Sequence, residues 1–115
     1  PPAEIIAADG KDVMFGQARI MENTGRDVTE HYQLAAWLAL RTAQESGCVA
    51  ALLTDGSPTC GSQHIYDGSF NAHRKAGMGV AASLLSEKGI AVFSESQIAE
   101  LIHWINEREG PSSLV

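Results

Sequence analysis

Five consecutive residues, Ser57-Pro58-Thr59-Cys60-Gly61, gather two hydroxyls and a thiol with a proline and a glycine. Pro58 biases Ser57 towards extended backbone, and Gly61 permits a positive φ or a close backbone approach. The groups between them can act as nucleophile, metal ligand or anion donor. The bland alternative is a rigid turn whose hydroxyls cap local backbone.

Two neighbouring clusters belong to the same polar stretch. Ile65-Tyr66-Asp67-Gly68 offers a phenol and a carboxylate, although Asp-Gly is also a common turn. Gly77-Met78-Gly79-Val80 stands where a helix should start, and N–H groups at a helix start can hold an anion. His64 lies close to the thiol loop. His31, His103 and Trp104 read as surface or packing residues. His73, Arg74 and Lys75 form a short basic run, which is ordinarily a solvated loop. No zinc-ligand spacing, catalytic triad, phosphate loop or dinucleotide fingerprint is present.

The elements that must position these residues are legible in part. Asp27-Val28-Thr29-Glu30 has capping-box spacing, and no Gly or Pro follows until Gly47. Leu34, Ala35, Leu38, Ala39 and Ala43 recur at helical spacing there. Val49 to Leu53 is apolar without alternation and predicts a strand covered on both faces. A loop is expected from Asp55 to about Met78, then a helix from Gly79 to Lys88 with Val80, Leu84 and Leu85 on one side. Ile90 to Phe93 is a second buried strand. Ser94-Glu95-Ser96-Gln97 caps a last helix, with Ile98, Leu101, Ile102 and Ile105 at helical spacing. Residues 1–26 read as irregular, and Val13 to Ile20 is not assigned to a strand.

Strands alternating with helices argue an α/β fold with a mainly parallel sheet and helices on both faces. Ligands in such sheets bind beyond the C-terminal strand ends, which is where the thiol loop falls. Two strands cannot make a stable parallel sheet alone, so further strands are expected from sequence upstream of Pro1. The expectation is one domain over residues 1–115 that forms the C-terminal two-thirds of a larger one.

Composition narrows the function. A net charge of −6 disfavours extended nucleic-acid binding. No apolar run approaches the ~20 residues of a membrane span. Two cysteines, Cys48 and Cys60, stand at opposite ends of the first apolar strand and are expected as separate thiols in a reducing, cytoplasmic setting.

Several stretches together resemble one family. They are Pro1-Pro2-Ala3-Glu4-Ile5, the run through Gly10, Asp12-Val13, Gly16 and Ala18-Arg19, Gly25-Arg26-Asp27-Val28-Thr29, Ser57 to Gly61, Ile65 to Phe70, Gly77 to Leu85, and Gly89 to Glu95. The chain resembles the TudS family of 2-thiouracil desulfidases from residue 1 to about 96. That resemblance implies a Rossmann-like three-layer αβα fold. It implies a 4Fe-4S cluster on three cysteines, whose open iron takes sulfur from a thiolated pyrimidine while water supplies oxygen. Cys60 matches a cluster cysteine, and Ser57 a polar catalytic or substrate-orienting residue. Thr59 stands where the family has Ser. Thr59, Gly61, Tyr66, Asp67 and Gly79 are expected around the thio-base. The family's other two cluster cysteines, one in a Cys-Pro-Glu motif, have no counterpart here. These residues alone are thus expected neither to bind the cluster nor to catalyse. A homo-oligomer or association with an N-terminal segment is the expected partnership. The competing readings are a nucleoside- or phosphate-binding transferase of purine nucleoside phosphorylase type and a non-catalytic small-molecule-binding module.

Overall fold

The structure is a computed structural model that describes residues 2–54, 58–61 and 63–109, the side chain of Glu109 excepted. Ser57 lies outside the described residues. The chain runs β1 (Ala3–Ile5), α1 (Gly10–Met14), β2 (Ile20–Glu22), α2 (Thr29–Glu45), β3 (Ala50–Leu53), β4 (His64–Tyr66), β5 (Arg74–Ala76), α3 (Val80–Glu87), β6 (Ala91–Ser94), a 3-10 turn (Glu95–Gln97) and α4 (Ile98–Glu109). It is a mixed α/β fold.

Among the described residues six strands form three separate pairs. β3 and β6 are parallel, from Ala50 opposite Ala91 to Leu53 opposite Ser94, with α3 in the connection between them. The other pairs are antiparallel: β1 with β2, and β4 with β5. A mainly parallel sheet was expected; among the described residues only one pair is parallel. The segment 1–26 is not irregular, and the stretch from 55 to 78 is not all loop, because each holds a short antiparallel pair.

Local chemistry explains most boundaries. Asp9 caps α1: its Oδ1 accepts from the N–H of Lys11 (3.1 Å) and Asp12 (3.4 Å), and Asp12 Oδ2 accepts the Asp9 N–H at 3.1 Å. These satisfy amides that a helix start leaves unpaired. α2 starts differently from the expected capping box. Its N-cap is Val28, whose side chain makes no cap bond. Asp27 Oδ1 instead accepts from the N–H (2.9 Å) and hydroxyl (2.6 Å) of Thr29. At β6, the Ser94–Gln97 capping box forms as expected, with Ser94 N–H donating to Gln97 Oε1 at 2.9 Å.

The core sits between α2 and α3, with α1, β1, β2 and β4 closing it. Ile5, Val13, Ile20, Ala36, Leu40, Ile65, Val80, Leu84 and Leu85 are buried together. The α3 face is the expected one. The α2 face is so only in part: Ala39 and Ala43 pack against the core, but Leu34 and Leu38 stay 60% and 52% exposed, while Ala36 and Leu40 are buried. Strands β3 and β6 were expected to be covered on both faces, yet Leu52 remains 48% exposed. On α4, Trp104 meets Phe93 edge-to-face at 6.0 Å, and Ile98, Ile102 and Ile105 point outward.

Candidate functional site

The site starts where β3 ends. Pro58, Thr59 and Cys60 form a turn beyond the C-terminal end of that strand, and Gly61 behind them is buried. The turn lies on the start of α3. Val80 N–H donates to the Pro58 carbonyl at 2.6 Å, and Ala81 and Ala82 N–H donate to the Thr59 carbonyl at 2.9 and 3.1 Å. Gly79 N–H donates to the Gly61 carbonyl at 2.8 Å. The amides that a helix start leaves open are therefore committed to the loop. The anion cradle expected at Gly77–Gly79 has given its donors to protein carbonyls.

Cys60 is thus held from both sides. The carbonyl before it, on Thr59, and the carbonyl after it, on Gly61, are both fixed to α3. Its thiol is half-buried and free of any disulfide. Cys48 likewise forms no disulfide and is exposed just before the other end of β3. The expectation of two separate thiols holds.

Tyr66 and Asp67 form a second group, on the β4–β5 hairpin. The Arg74 guanidinium lies 6.0 Å from the centroid of the Tyr66 ring, a cation–π pair. Asp67 accepts from the Ser69 hydroxyl (2.6 Å) and N–H (2.9 Å). Those bonds, with His73 and Lys75 nearby, hold the Asp67 carboxyl below its usual range. The basic run is thus not a plain solvated loop: Arg74 and Lys75 belong to β5. Gly77 N–H donates to the Gln63 carbonyl at 3.1 Å, which carries the hairpin ladder one bond beyond His64 and Ala76. His64 opens β4 and is exposed.

One contributor escaped the sequence reading. Glu4, on β1, is only 8% exposed, and its Oε1 accepts the N–H of Gly68 (3.0 Å) and of Phe70 (3.3 Å). An acid inside so short a strand carries no periodicity that would mark it as buried. His31 lines a separate depression of about 470 Å³ with Arg19, Asp27, Glu30 and Leu34, and His103 is exposed on α4.

The sequence model of the 2-thiouracil desulfurase family matches residues 1–97. The chain belongs to this family. It is 42% identical over 101 residues to the protein called "Uncharacterized protein YbbK" of Bacillus subtilis (strain 168). That alignment takes in 88% of this chain and 67% of the relative. A solved structure described as a [4Fe-4S]-dependent thiouracil desulfidase, TudS, superposes with a TM-score of 0.80 at 39% identity. The match spans 92% of this chain and 64% of that one. The chain thus spans about two-thirds of each relative's length.

A cluster held by three cysteines does not fit the residues at hand. The chain has two cysteines, and they stand at opposite ends of β3. Among the described residues no group of three or more His, Cys, Asp and Glu could hold a metal ion.

Proposed function

We propose that this chain is the Cys60-bearing part of an iron–sulfur-dependent desulfidase acting on a thiolated pyrimidine of the 2-thiouracil type. The net reaction exchanges a C=S for a C=O: water supplies the oxygen and sulfide leaves, with no change of oxidation state. The observation that carries the reading is the thiol of Cys60, fixed between two anchored carbonyls beyond the C-terminal end of a parallel strand. Membership of the 2-thiouracil desulfurase family and the likeness to a thiouracil desulfidase support it.

In this reading Cys60 supplies one cluster thiolate, and the other two come from outside these 115 residues. Ser57 orients or activates the substrate. Thr59, Gly61, Tyr66, Asp67 and Gly79 shape the space around the base. The β3–β6 pair belongs to a Rossmann-like αβα sheet whose further strands and ligands come from an added N-terminal segment or from a partner chain. The substrate is a free thio-base, in keeping with the net charge of −6, and the setting is the reducing cytoplasm that thiolates require. Among the described residues no helix is long and apolar enough to cross a membrane. The phosphate-transferase alternative loses ground, because the α3 amides it would use already bind Pro58 and Thr59.

Anaerobic treatment with ferrous iron and sulfide tests the reading. Alone, the chain should hold no stable brown chromophore. Co-produced with the third of the Bacillus subtilis relative that lies beyond the match, it should gain one and convert 2-thiouracil to uracil and sulfide. Cys60→Ala should abolish both. A stable chromophore on the chain alone would overturn the ligand count. A loaded complex that leaves 2-thiouracil intact would overturn the substrate.

A further inference from the structure

Two kinds of glycine stand apart in this chain. Gly16, Gly25, Gly47 and Gly89 have positive φ and open space where a Cβ would go. They are turn residues, selected for conformation. Gly10 and Gly79 are the reverse. Gly79 has an ordinary φ of −74°, and Gly10 is absent from the positive-φ set, so any residue could adopt their backbones. What excludes a side chain there is space.

A Cβ on Gly79 would lie 2.5 Å from the Pro58 carbonyl oxygen and 2.6 Å from the Thr59 carbonyl carbon. A Cβ on Gly10 would collide with the carbonyl carbon and oxygen of Gly79 itself. The obstacles are backbone, not the yielding ends of side chains. Three main-chain layers are therefore stacked: the first residue of α1, the N-cap of α3, and the peptide immediately before Cys60. Hydrogen bonds fasten each layer to the next. Gly10 N–H donates to the Met78 carbonyl at 2.6 Å, and Val80 N–H to the Pro58 carbonyl at 2.6 Å.

We infer that Gly10 and Gly79 are positioning residues for the Cys60 thiol. They let α1 and α3 press the loop into one place, and with the carbonyls on both sides of Cys60 anchored, the direction of its side chain follows. A methyl on Gly79 must push Pro58 and Thr59 off α3. A methyl on Gly10 must push α3 itself, so the same displacement arrives one layer removed. That the thiol is chemically used rests on the desulfidase reading above; the positioning does not.

The test reads the thiol and not the reaction. Cys48 is exposed and serves as an internal reference. Alkylation of both thiols by iodoacetamide at one fixed pH, without denaturant, is followed by mass spectrometry. Gly79→Ala should raise the Cys60-to-Cys48 rate ratio about tenfold, equivalent to ~1.4 kcal/mol of local opening. Gly10→Ala should move it the same way by less. Leu40→Ala, a core truncation away from the stack, lowers global stability and should leave the ratio within about twofold. If Leu40→Ala moves the ratio as far as Gly79→Ala, or a folded Gly79→Ala leaves it unchanged, the inference fails. Should neither glycine variant fold by circular dichroism, the unaltered chain decides. Hydrogen exchange at Val80 and Ala81 should then report the same opening free energy as Cys60 alkylation, and two different values would overturn the inference. Because no cluster or substrate enters the assay, its failure leaves the desulfidase reading standing, and the converse holds too.

Discussion

Glu4 Oε1 accepts the backbone N–H of Gly68 at 3.0 Å across 64 positions of sequence. The same oxygen takes the Phe70 N–H at 3.3 Å. The loop it holds is under strain, since Phe70 and Ala72 carry φ of 60° and 61° without being glycine. A buried carboxylate thus pins a loop that would otherwise relax, and that loop follows Tyr66 and Asp67. Glu4→Ala should cost about 1.5–3 kcal/mol, the range for hydrogen bonds to a charged group. Urea titration measures the loss, and exchange at the Gly68 and Phe70 amides should quicken most. Glu4→Gln keeps an acceptor and should cost less.

Thr29 is 1% exposed and bridges two elements. Its Oγ1 accepts the Ile20 N–H at 2.9 Å and donates to Asp27 Oδ1 at 2.6 Å. Thr29→Val keeps the shape and leaves the Ile20 amide without its acceptor. Loss of about 1–3 kcal/mol is expected by chemical denaturation, the cost of a buried donor left unsatisfied. Thr29→Ser should recover most of it.

Asp27 gives the chain an acid limb. Hydrogen bonds from the Thr29 hydroxyl and amide, then from Arg19, lower its carboxyl to about 2. The unfolded value is near ~3.9. A folded value below the unfolded one means the contribution is complete above about pH 4 and drains away as pH falls through about 2. The difference in melting temperature between the parent and Asp27→Asn should therefore be largest near neutrality and shrink across that window. A difference that stays constant down to pH 2 would contradict the assignment.

Trp104 is the seat of α4. Its ring meets Phe93 at 62°, and the Arg108 guanidinium lies 5.4 Å from its centroid. Trp104→Leu should cost about 0.5–1.5 kcal/mol beyond the area lost, the usual increment of an aromatic pair. Exchange should accelerate along α4 before it does in α3.

Much of this was legible and the remainder has physical reasons. Leu84 and Leu85 declared the buried face of α3, and Ser94 with Gln97 declared the entry to α4, because helical period and capping chemistry are local. The thiol loop fell beyond the end of β3 as expected. Four three-residue strands were missed, since a run such as Ala3-Glu4-Ile5 is too short to show alternation and owes its form to its partner. On α2 the bulky Leu34 and Leu38 looked like the inward face. Close approach of α3 instead favoured Ala36, a choice set by tertiary packing. The bonds that lock Cys60 join residues twenty or so positions apart through main-chain atoms alone, and side-chain patterns carry no trace of them.

The register of the parallel pair has a consequence for how the chain folds in time. Ala50 faces Ala91, so joining β3 to β6 closes a loop of about forty residues before four short pairings return anything. Docking α3 against α2 closes a loop of similar length, but it buries a whole apolar face at once. On that ground the core is expected first and the parallel pair after it. Cys60 stands between the two in the chain, its neighbours Thr59 and Gly61 bonded to the start of α3 and β3 a few residues before it. In that order the thiol would meet α3 first and acquire its final surroundings when the sheet shuts.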